Sequence, residues 1–289
     1  MHGPLVARPQ LAGAGADDLR HRLHPEGHMH EQGLLLDGIP NFRDVGGCRS
    51  RDGRRLRRGR IFRAPLMNHL AAQDLQRLQA AGLGMVCDLR GVDERARAPQ
   101  AWLQGLDLHD AHVDVNNHHL RAATEAIVEL IVAEPDAAKM LALMQHNYRR
   151  MPEAFHGRCG AVVDYLLSGP PRPLMIHCAA GKDRTGFLVA MLLLALDVEE
   201  PAIYDDYLLS SSAASVAAMW EHGKTLLSKA LNREPDPLLI RLVCGVQREY
   251  LAAAIDQLCV DYGSVDVYLE QAFGLTAERR RLLQQRLLE

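Results

Sequence analysis

The chain has 289 residues, of which 48% are hydrophobic and 5% aromatic, so it can form one large domain with a mainly aliphatic core. A formal net charge of −3 excludes a globally basic nucleic-acid binder, although it allows a local basic patch. The six cysteines show no CxxC pairs and no metal-ligand spacing, which is typical of free thiols in a reducing compartment.

Residues 1–33 predict a flexible N-terminal extension, because they are rich in Gly, Ala, Pro and His and lack a sustained hydrophobic period. Four histidines within it could bind a metal ion, but a solvated polar tail is the favoured interpretation. No apolar signal-peptide core is present, and the longest apolar run, Phe187–Val198, is too short to span a bilayer. We expect a cytoplasmic protein without stable membrane insertion, although export without a signal peptide stays open.

The next part of the chain alternates strand-length apolar runs with segments of helical period. Residues 41–63 predict an N-terminal hairpin, because Gly46-Gly47 and Asp52-Gly53 are turn signals between extended stretches. Further strands are expected over 84–89 and 106–115, and helices over 70–81, 119–133, 137–150 and 153–167.

The clearest pattern in the sequence predicts a buried strand at 174–177, a loop at 178–184 and a helix over 185–196 that is apolar on all sides. Interleaved strands and helices predict an α/β fold with a central, largely parallel sheet flanked by helices. Such sheets bind ligands beyond the C-terminal ends of their strands, where Cys178 lies.

The chain after residue 200 is predicted to be almost entirely helical. Residues 34–289 are expected to form a single domain with a C-terminal helical region. Helices are expected over 214–231, 237–260, 264–273 and 276–288.

The loop HCAAGKDRTG, residues 177–186, has the chemistry of a phosphate cradle. Backbone N–H groups at a helix start are unpaired and carry the positive end of the helix dipole. Gly181 allows successive N–H groups to face inward, and the planar fork of Arg184 matches two phosphate oxygens. Phosphate is therefore predicted to bind Cys178, Ala179, Ala180, Gly181, Lys182, Asp183 and Arg184.

Cys178 lies at the bottom of this cradle, where the same N–H groups and Arg184 favour a thiolate. A thiolate beneath a bound phosphate can attack phosphorus in line. Thr185 is expected to donate its hydroxyl to the sulfur and help it leave when the phosphocysteine hydrolyses. This chemistry needs no metal and no cofactor.

The segment from His177 to Gly186 resembles the signature of the protein tyrosine phosphatase superfamily. Its Ala-Ala-Gly-Lys-Asp filling is similar to that of the bacterial tyrosine phosphatases typified by mycobacterial protein tyrosine phosphatase B. That resemblance implies a phosphatase-type α/β domain, activity on phosphotyrosine, and a helical lid after the catalytic helix. The amphipathic segment 213–235 is in the right place to be this lid. Some members also accept phosphoserine, phosphothreonine or phosphoinositides. Shorter matching motifs extend the resemblance over about residues 35–289: Asn41–Gly47, Asp88–Arg90 with Glu94, Tyr207–Ser210 and Tyr262–Leu269.

The leaving oxygen needs a proton from a general acid. Typical superfamily members use an aspartate upstream of the cysteine, and the candidates here are Asp107, Asp110 and Asp114. In the resembled family the aspartate inside the loop serves instead, which implies Asp183. We favour Asp183 and keep Asp114 as second candidate. The alternative for Asp183 is a structural role, in which it accepts hydrogen bonds from loop N–H groups or pairs with Lys182 or Arg43.

Other polar residues are expected to support the site. His177 is predicted to orient the loop through hydrogen bonds. Asp88 has the right type to join Arg90 and Glu94 in an ion-pair network that braces the sheet end, and Asp44 is assigned a similar supporting role.

Lys182 and a run of arginines allow two interpretations each. Lys182 either lends charge to a lipid or second phosphate, or is a solvated side chain. The arginines are interpreted as a solvated hairpin edge, and the alternative is a basic rim that steers anionic substrates to the cradle. The run comprises Arg49, Arg51, Arg54, Arg55, Arg57, Arg58, Arg60 and Arg63.

The sequence thus predicts a cysteine-dependent phosphatase that acts on phosphotyrosine through a phosphocysteine intermediate. Its expected partners are phosphorylated proteins or phosphoinositides, not nucleic acid, and its oligomeric state is left open. One alternative is a phosphate-binding regulatory module with weak catalysis. Another is a rhodanese-type sulfurtransferase, although such loops are usually shorter and lack the Arg-Thr-Gly exit.

Overall fold

The computed structural model describes Leu34, Leu36, and residues 38–115 and 136–289. The predicted extension at 1–33 with its histidines, and the predicted helix at 119–133, lie outside the described residues. None of the described helices is both long and apolar enough to cross a bilayer.

A five-stranded sheet forms the centre of the described part of the chain, with strand order β1-β2-β5-β3-β4. Strand β1 is antiparallel to β2, and all other neighbouring pairs are parallel, which confirms the predicted α/β fold. The strands are Arg43–Asp44 (β1), Ile61–Ala64 (β2), Met85–Asp88 (β3), His109–His112 (β4) and Leu174–His177 (β5).

The register brings the four parallel strands to a common edge. His177 at the end of β5 pairs with Ala64 of β2 on one side and with Asp88 of β3 on the other. Asp88 in turn pairs with His112 at the end of β4. The chain that leaves β5 therefore enters the ligand-binding edge of the sheet between two neighbouring strand ends.

Helices cover both faces of the sheet and build the C-terminal region. In chain order they are Ala72–Ala80 (α1), Val92–Arg97 (α2), Ala137–Arg149 (α3), Met151–Phe155 (α4), Gly160–Leu167 (α5), Asp183–Ala195 (α6), Glu200–Leu208 (α7), Ala213–Leu231 (α8), Pro237–Cys244 (α9), Arg248–Tyr262 (α10), Val265–Phe273 (α11) and Ala277–Leu287 (α12).

Helix α6 is the central helix of the molecule, as its sequence predicts. Every residue from Thr185 to Leu193 is buried, and the side chains from Phe187 onward belong to the largest apolar cluster of the described residues. The helix begins at Asp183, two residues before the predicted start, so its first turn includes the end of the phosphate-binding loop.

Two of the predicted long helices are each divided by a turn. Residues 153–167 are split after Phe155, where Gly157 adopts a left-handed φ of +70°. Residues 237–260 are split at Gly245 because the Ser211 hydroxyl donates to the Val246 carbonyl and accepts from the Val246 N–H. Both breaks depend on contacts that helical periodicity does not reveal.

The hairpin edge is not simply solvated, which corrects the interpretation of its arginines. The backbone N–H of Arg55 donates to the Glu289 carbonyl, and the Glu289 N–H donates back, so the C-terminal residues cover this edge. Arg63 is wholly buried. Exposed arginines remain at positions 49, 51, 55 and 58.

The predicted lid segment 213–235 contains helix α8. Its residues Leu227 and Leu231 are buried in a separate apolar cluster with Leu239 and Ile240 of α9. A lid function for this helix stays a prediction.

Candidate active site

The loop after β5 packs directly onto the end of β2. Cys178 follows the strand at once and is 3% exposed. Gly181 adopts a left-handed φ of +67°, and a Cβ placed there would lie 2.4 Å from the Ala64 carbonyl oxygen. A glycine is needed at this position both for its backbone conformation and for the close approach of the two chains.

The loop offers the free backbone donors that an oxyanion requires. Within the described residues, the N–H groups of Ala180, Gly181 and Lys182 donate to no protein acceptor. They lie between the end of β5 and the first turn of α6, where the positive end of the helix dipole adds to their attraction for negative charge.

Arg184 is held by partners that leave one edge of its guanidinium available. Its Nη1 donates to Glu94 Oε2 at 2.6 Å and to the Leu89 carbonyl at 3.2 Å, and its Nη2 donates to Glu94 Oε1 at 2.9 Å. The Nε–H and the second Nη2–H have no partner among the described residues. These two donors share one edge, which is the fork that binds two phosphate oxygens.

The sequence predicted that Glu94 would join Asp88 and Arg90 in one network. Among the described residues its carboxylate instead accepts hydrogen bonds from Arg184 and from the Gly91 N–H, so it orients Arg184. Burial opposes the carboxylate charge of Glu94, but hydrogen bonds and charge from Arg184 outweigh it and lower its pKa. Burial likewise opposes the charge of Arg184, yet Glu94 raises the net pKa of Arg184 above its ordinary value. The pair therefore stays ionised, and Arg184 is fixed in place.

His177 holds the first peptide of the loop. Trp102 Nε1 donates to Gln100 Oε1, which directs Gln100 Nε2 at His177 Nε2, 2.9 Å away. His177 Nε2 is then the acceptor, so Nδ1 carries the proton and faces the Cys178 carbonyl at 3.3 Å. Burial lowers the pKa of His177, against the opposing charge of Asp88, so the ring is neutral.

Asp88 braces this edge of the sheet from within. It is fully buried and accepts hydrogen bonds from the Nε, Nη2 and backbone N–H groups of Arg90. Burial opposes its negative charge, but the hydrogen bonds and the charge of Arg90 outweigh this and lower the pKa of Asp88. The predicted supporting place of Asp88 fits these contacts.

Asp183 lies in the first turn of α6 within a chain of hydrogen bonds. Tyr148 donates to Asp183 Oδ1 at 2.6 Å, and Tyr207 donates to Tyr148 at 2.7 Å. Burial, followed by the charge of Asp183, raises the pKa of Tyr148 well above its ordinary value, so this phenol remains a neutral donor. Lys182 is buried and pairs with Asp183 Oδ2 at 2.7 Å, which contradicts its interpretation as a solvated side chain.

The three upstream candidates for the general acid lie at different positions along β4 and therefore at different distances from the edge of the sheet where Cys178 lies. Asp107 precedes β4 and pairs with Arg172, which precedes β5, so it lies at the opposite edge from Cys178. Asp110 is inside β4 and pairs with Arg95. Asp114 follows the end of β4 at the correct edge, and its buried Oδ1 has no partner among the described residues.

Two further predicted residues differ in detail from expectation. The Thr185 hydroxyl is buried and makes no hydrogen bond within the described part of the chain, so it does not donate to Cys178 in this structure. Asp44 accepts from the N–H groups of Gly46 and Gly59. It therefore stabilises the hairpin, and none of its hydrogen bonds reaches the loop.

The remaining cysteines are ordinary free thiols. Burial raises the pKa of Cys48 and of Cys159 to about 12, and it also raises the pKa values of Cys87 and Cys244. These thiols stay protonated and are poor nucleophiles at neutral pH.

A buried ionic cluster behind the loop was not predicted. Asp206 of α7 accepts from Arg63 Nη1 at 2.6 Å and from Arg43 Nε at 2.8 Å. The Ser210 hydroxyl accepts from Nη2 of both arginines. Burial opposes the charge of Asp206, but the two arginines outweigh it and lower its pKa to about 2.

Some signals for this cluster were present in the sequence. Arg63 interrupts the apolar strand Ile61–Ala64, and a charged residue in a buried strand needs a partner. Asp206 and Ser210 stand in or next to the short motif at 207–210, which carried no assigned role. Apart from its aromatic side chain, nothing in the sequence indicated that Tyr148 would donate a hydrogen bond to Asp183.

A buried thiol that begins a loop with free backbone donors and an oriented arginine, at the carboxyl edge of parallel strands, is consistent with an α/β phosphatase. The model for the tyrosine phosphatase family matches residues 34–289. This chain therefore belongs to the tyrosine phosphatase family, and it is a protein-tyrosine phosphatase.

Two relatives support the same assignment over most of their length. A Cupriavidus necator protein named as a tyrosine-protein phosphatase is 31% identical over 255 residues, covering 86% of each chain. The triple specificity protein phosphatase PtpB of Mycobacterium tuberculosis is 32% identical over 269 residues, covering 82% of this chain and 92% of that protein. The solved Pseudomonas aeruginosa TpbA aligns with 61% of this chain and 76% of its own at 16% identity, with a TM-score of only 0.30.

The low pKa of Asp206 predicts a specific acid sensitivity. A carboxylate whose pKa is lower in the folded than in the unfolded protein stabilises the fold above its ordinary pKa. That stabilisation is lost as the pH falls through the folded value. We expect the free-energy advantage of wild type over Asp206→Asn to shrink by about 2 kcal/mol between about pH 5 and pH 2, measured by urea unfolding.

The matched control is Asp205→Asn, because Asp205 is the exposed neighbour on the same helix. Its difference from wild type should change by less than about 0.5 kcal/mol over the same range. A wild-type advantage over Asp206→Asn that stays constant with pH would contradict the ion-pair assignment.

Proposed function

We propose that this phosphatase acts through a covalent phosphocysteine on Cys178. The observation that carries the proposal is that buried Cys178 begins the loop whose N–H groups at Ala180, Gly181 and Lys182 have no acceptor among the described residues, and that Cys178 interacts electrostatically with Arg184. In the first step the thiolate forms an S–P bond while the bond between phosphorus and the leaving oxygen breaks. The loop donors and Arg184 stabilise the charge on the phosphoryl oxygens throughout this transfer.

The second step regenerates the enzyme. A water molecule attacks phosphorus from the side that the leaving group has vacated, the S–P bond breaks, and Cys178 leaves as a thiolate. The water proton passes to the carboxylate that served as the acid in the first step, and inorganic phosphate departs.

Asp183 is the proposed general acid. In an in-line displacement the leaving oxygen lies opposite the sulfur, which places it at the mouth of the cradle above buried Cys178. The Asp183 side chain is 30% exposed, one residue from Arg184, and Tyr148 and Lys182 fix its direction. In the proposed step it donates a proton to the leaving oxygen as the bond between that oxygen and phosphorus breaks.

Asp114 is the second candidate for the same role. Its buried Oδ1 has no partner among the described residues, and it follows the end of β4 at the same sheet edge as the loop. Neither Lys182 nor Tyr148 holds its carboxylate.

The proposed substrates are phosphotyrosine and, by extension, phosphoserine, phosphothreonine and phosphoinositides. The extension follows from the resemblance and from the name of the mycobacterial relative, which describes triple specificity. The mechanism needs a free thiol, so we further propose a reducing compartment such as the cytoplasm. Turnover of p-nitrophenyl phosphate in EDTA would exclude the regulatory-module alternative. Sulfur transfer from thiosulfate would instead support the sulfurtransferase alternative.

The role of Cys178 predicts a separation of binding from turnover. Cys178→Ser should reduce kcat for p-nitrophenyl phosphate by at least about 10³-fold, because a serine hydroxyl is not ionised. Binding of inorganic phosphate, measured by titration calorimetry, should remain within about threefold because the backbone donors and Arg184 are unchanged. Cys87→Ser, at another buried thiol, is the control. Retained turnover in Cys178→Ser would refute the mechanism.

The role of Asp183 predicts a dependence on the leaving group. Asp183→Asn should lower kcat by about 10²-fold for phosphoserine peptides, whose alkoxide needs a proton. With p-nitrophenyl phosphate, a good leaving group, the loss should be much smaller. Asp114→Asn should show no such dependence. The reverse pattern would assign the acid to Asp114 and reject Asp183.

A further inference from the structure

We propose that Arg63 and Asn41 are positioning residues of the phosphate-binding loop, which hold its carbonyl oxygens on one side and thereby direct its N–H groups to the substrate on the other. Among the described residues, the side chains of Asn41 and Arg63 make no hydrogen bond to Cys178 or to Arg184. Their influence on the reaction passes through the orientation of two peptide planes.

The loop carbonyls are held from outside by three donors. The Ala179 carbonyl accepts from the Leu66 N–H at 2.9 Å. The Ala180 carbonyl accepts from Asn41 Nδ2 at 3.1 Å, and the Gly181 carbonyl accepts from Arg63 Nη2 at 2.9 Å. Leu66 follows β2, Arg63 is within it, and Asn41 precedes β1, so one side of the sheet supplies all three.

Because the peptide bond is planar, the three fixed carbonyls also set the direction of the N–H groups that follow them. In a trans peptide the C=O of one residue and the N–H of the next point in opposite directions. A carbonyl of Ala179, Ala180 or Gly181 that faces these donors therefore turns the following N–H group to the other side. Those are the N–H groups that have no acceptor within the described residues, and in the proposed mechanism they meet the phosphate.

The positioning residues are themselves fixed. Arg43 donates to Asn41 Oδ1, so the opposite end of the Asn41 amide, Nδ2, faces the loop. Asp206 and the Ser210 hydroxyl accept from Arg63, which aligns its Nη2 with the Gly181 carbonyl. Arg63 is fully buried, and its ion pair with Asp206 stabilises the buried charge.

Two conservative variants test the proposal. Asn41→Asp keeps an acceptor for Arg43 but places a carboxylate oxygen, which cannot donate, against the Ala180 carbonyl. Arg63→Lys keeps the positive charge beside Asp206 but lacks the planar fork that reaches Ser210, Asp206 and the loop together. Both should raise the dissociation constant of inorganic phosphate about tenfold and lower kcat/KM for p-nitrophenyl phosphate at least about tenfold.

The controls make the same chemical changes elsewhere. Asn232→Asp alters an exposed asparagine that also has a left-handed backbone, with φ +51° against +68° at Asn41. Arg60→Lys alters the arginine just before β2, which donates to the Pro171 carbonyl at the opposite edge of the sheet. Both controls should keep the phosphate dissociation constant within about twofold of wild type.

Binding is measured by titration calorimetry, well below the thermal midpoint of each variant, so that loss of folded protein does not mimic loss of binding. If Arg63→Lys fails to fold, Asn41→Asp decides. A folded Asn41→Asp with an unchanged phosphate dissociation constant overturns the proposal, as does a loss in Asn232→Asp equal to that in Asn41→Asp. Because calorimetry needs no turnover, this outcome is independent of whether Cys178 forms a phosphocysteine.

Discussion

The close seating of the loop on the end of β2 is the constraint on which the site depends. Gly181 lies so near Ala64 that no side chain fits between them, and its carbonyl reaches the buried guanidinium of Arg63. That contact joins the sheet, the loop and helix α7, because Asp206 on α7 neutralises Arg63. The parallel register brings β2 and β5 to the same level, which makes the contact possible.

Each cationic side chain that packs around the loop contacts a carboxylate. Arg184 pairs with Glu94, Lys182 with Asp183, and Arg63 together with Arg43 with Asp206. In the proposed mechanism a substrate phosphate therefore meets backbone N–H groups and the free edge of one oriented arginine, rather than a set of unpaired cations. Donors held in place before the substrate arrives need little reorganisation during phosphoryl transfer, which is how such groups stabilise a transition state.

The sequence predicted what depends on local chemistry and missed what depends on distant contacts. The loop motif, its strand and its apolar helix could be read directly, because Cys178, Gly181 and Arg184 each have a physical reason for their spacing. Arg63 was grouped with solvent-exposed arginines, and its partner Asp206 lies 143 positions away. Glu94 was assigned to Asp88 and Arg90, although it reaches Arg184. Pairings across such separations are set by strand order, which hydrophobic periodicity alone does not define.

The central claim is that Cys178 carries the phosphoryl group between substrate and water. The most direct measurement is an acid quench of wild-type enzyme during turnover of a phosphotyrosine peptide, followed by peptide mass spectrometry. The account predicts a transient phosphoryl adduct on the peptide that contains Cys178, and its absence in Cys178→Ser. Phosphate release without an adduct at Cys178, or an adduct on another residue, would contradict the account.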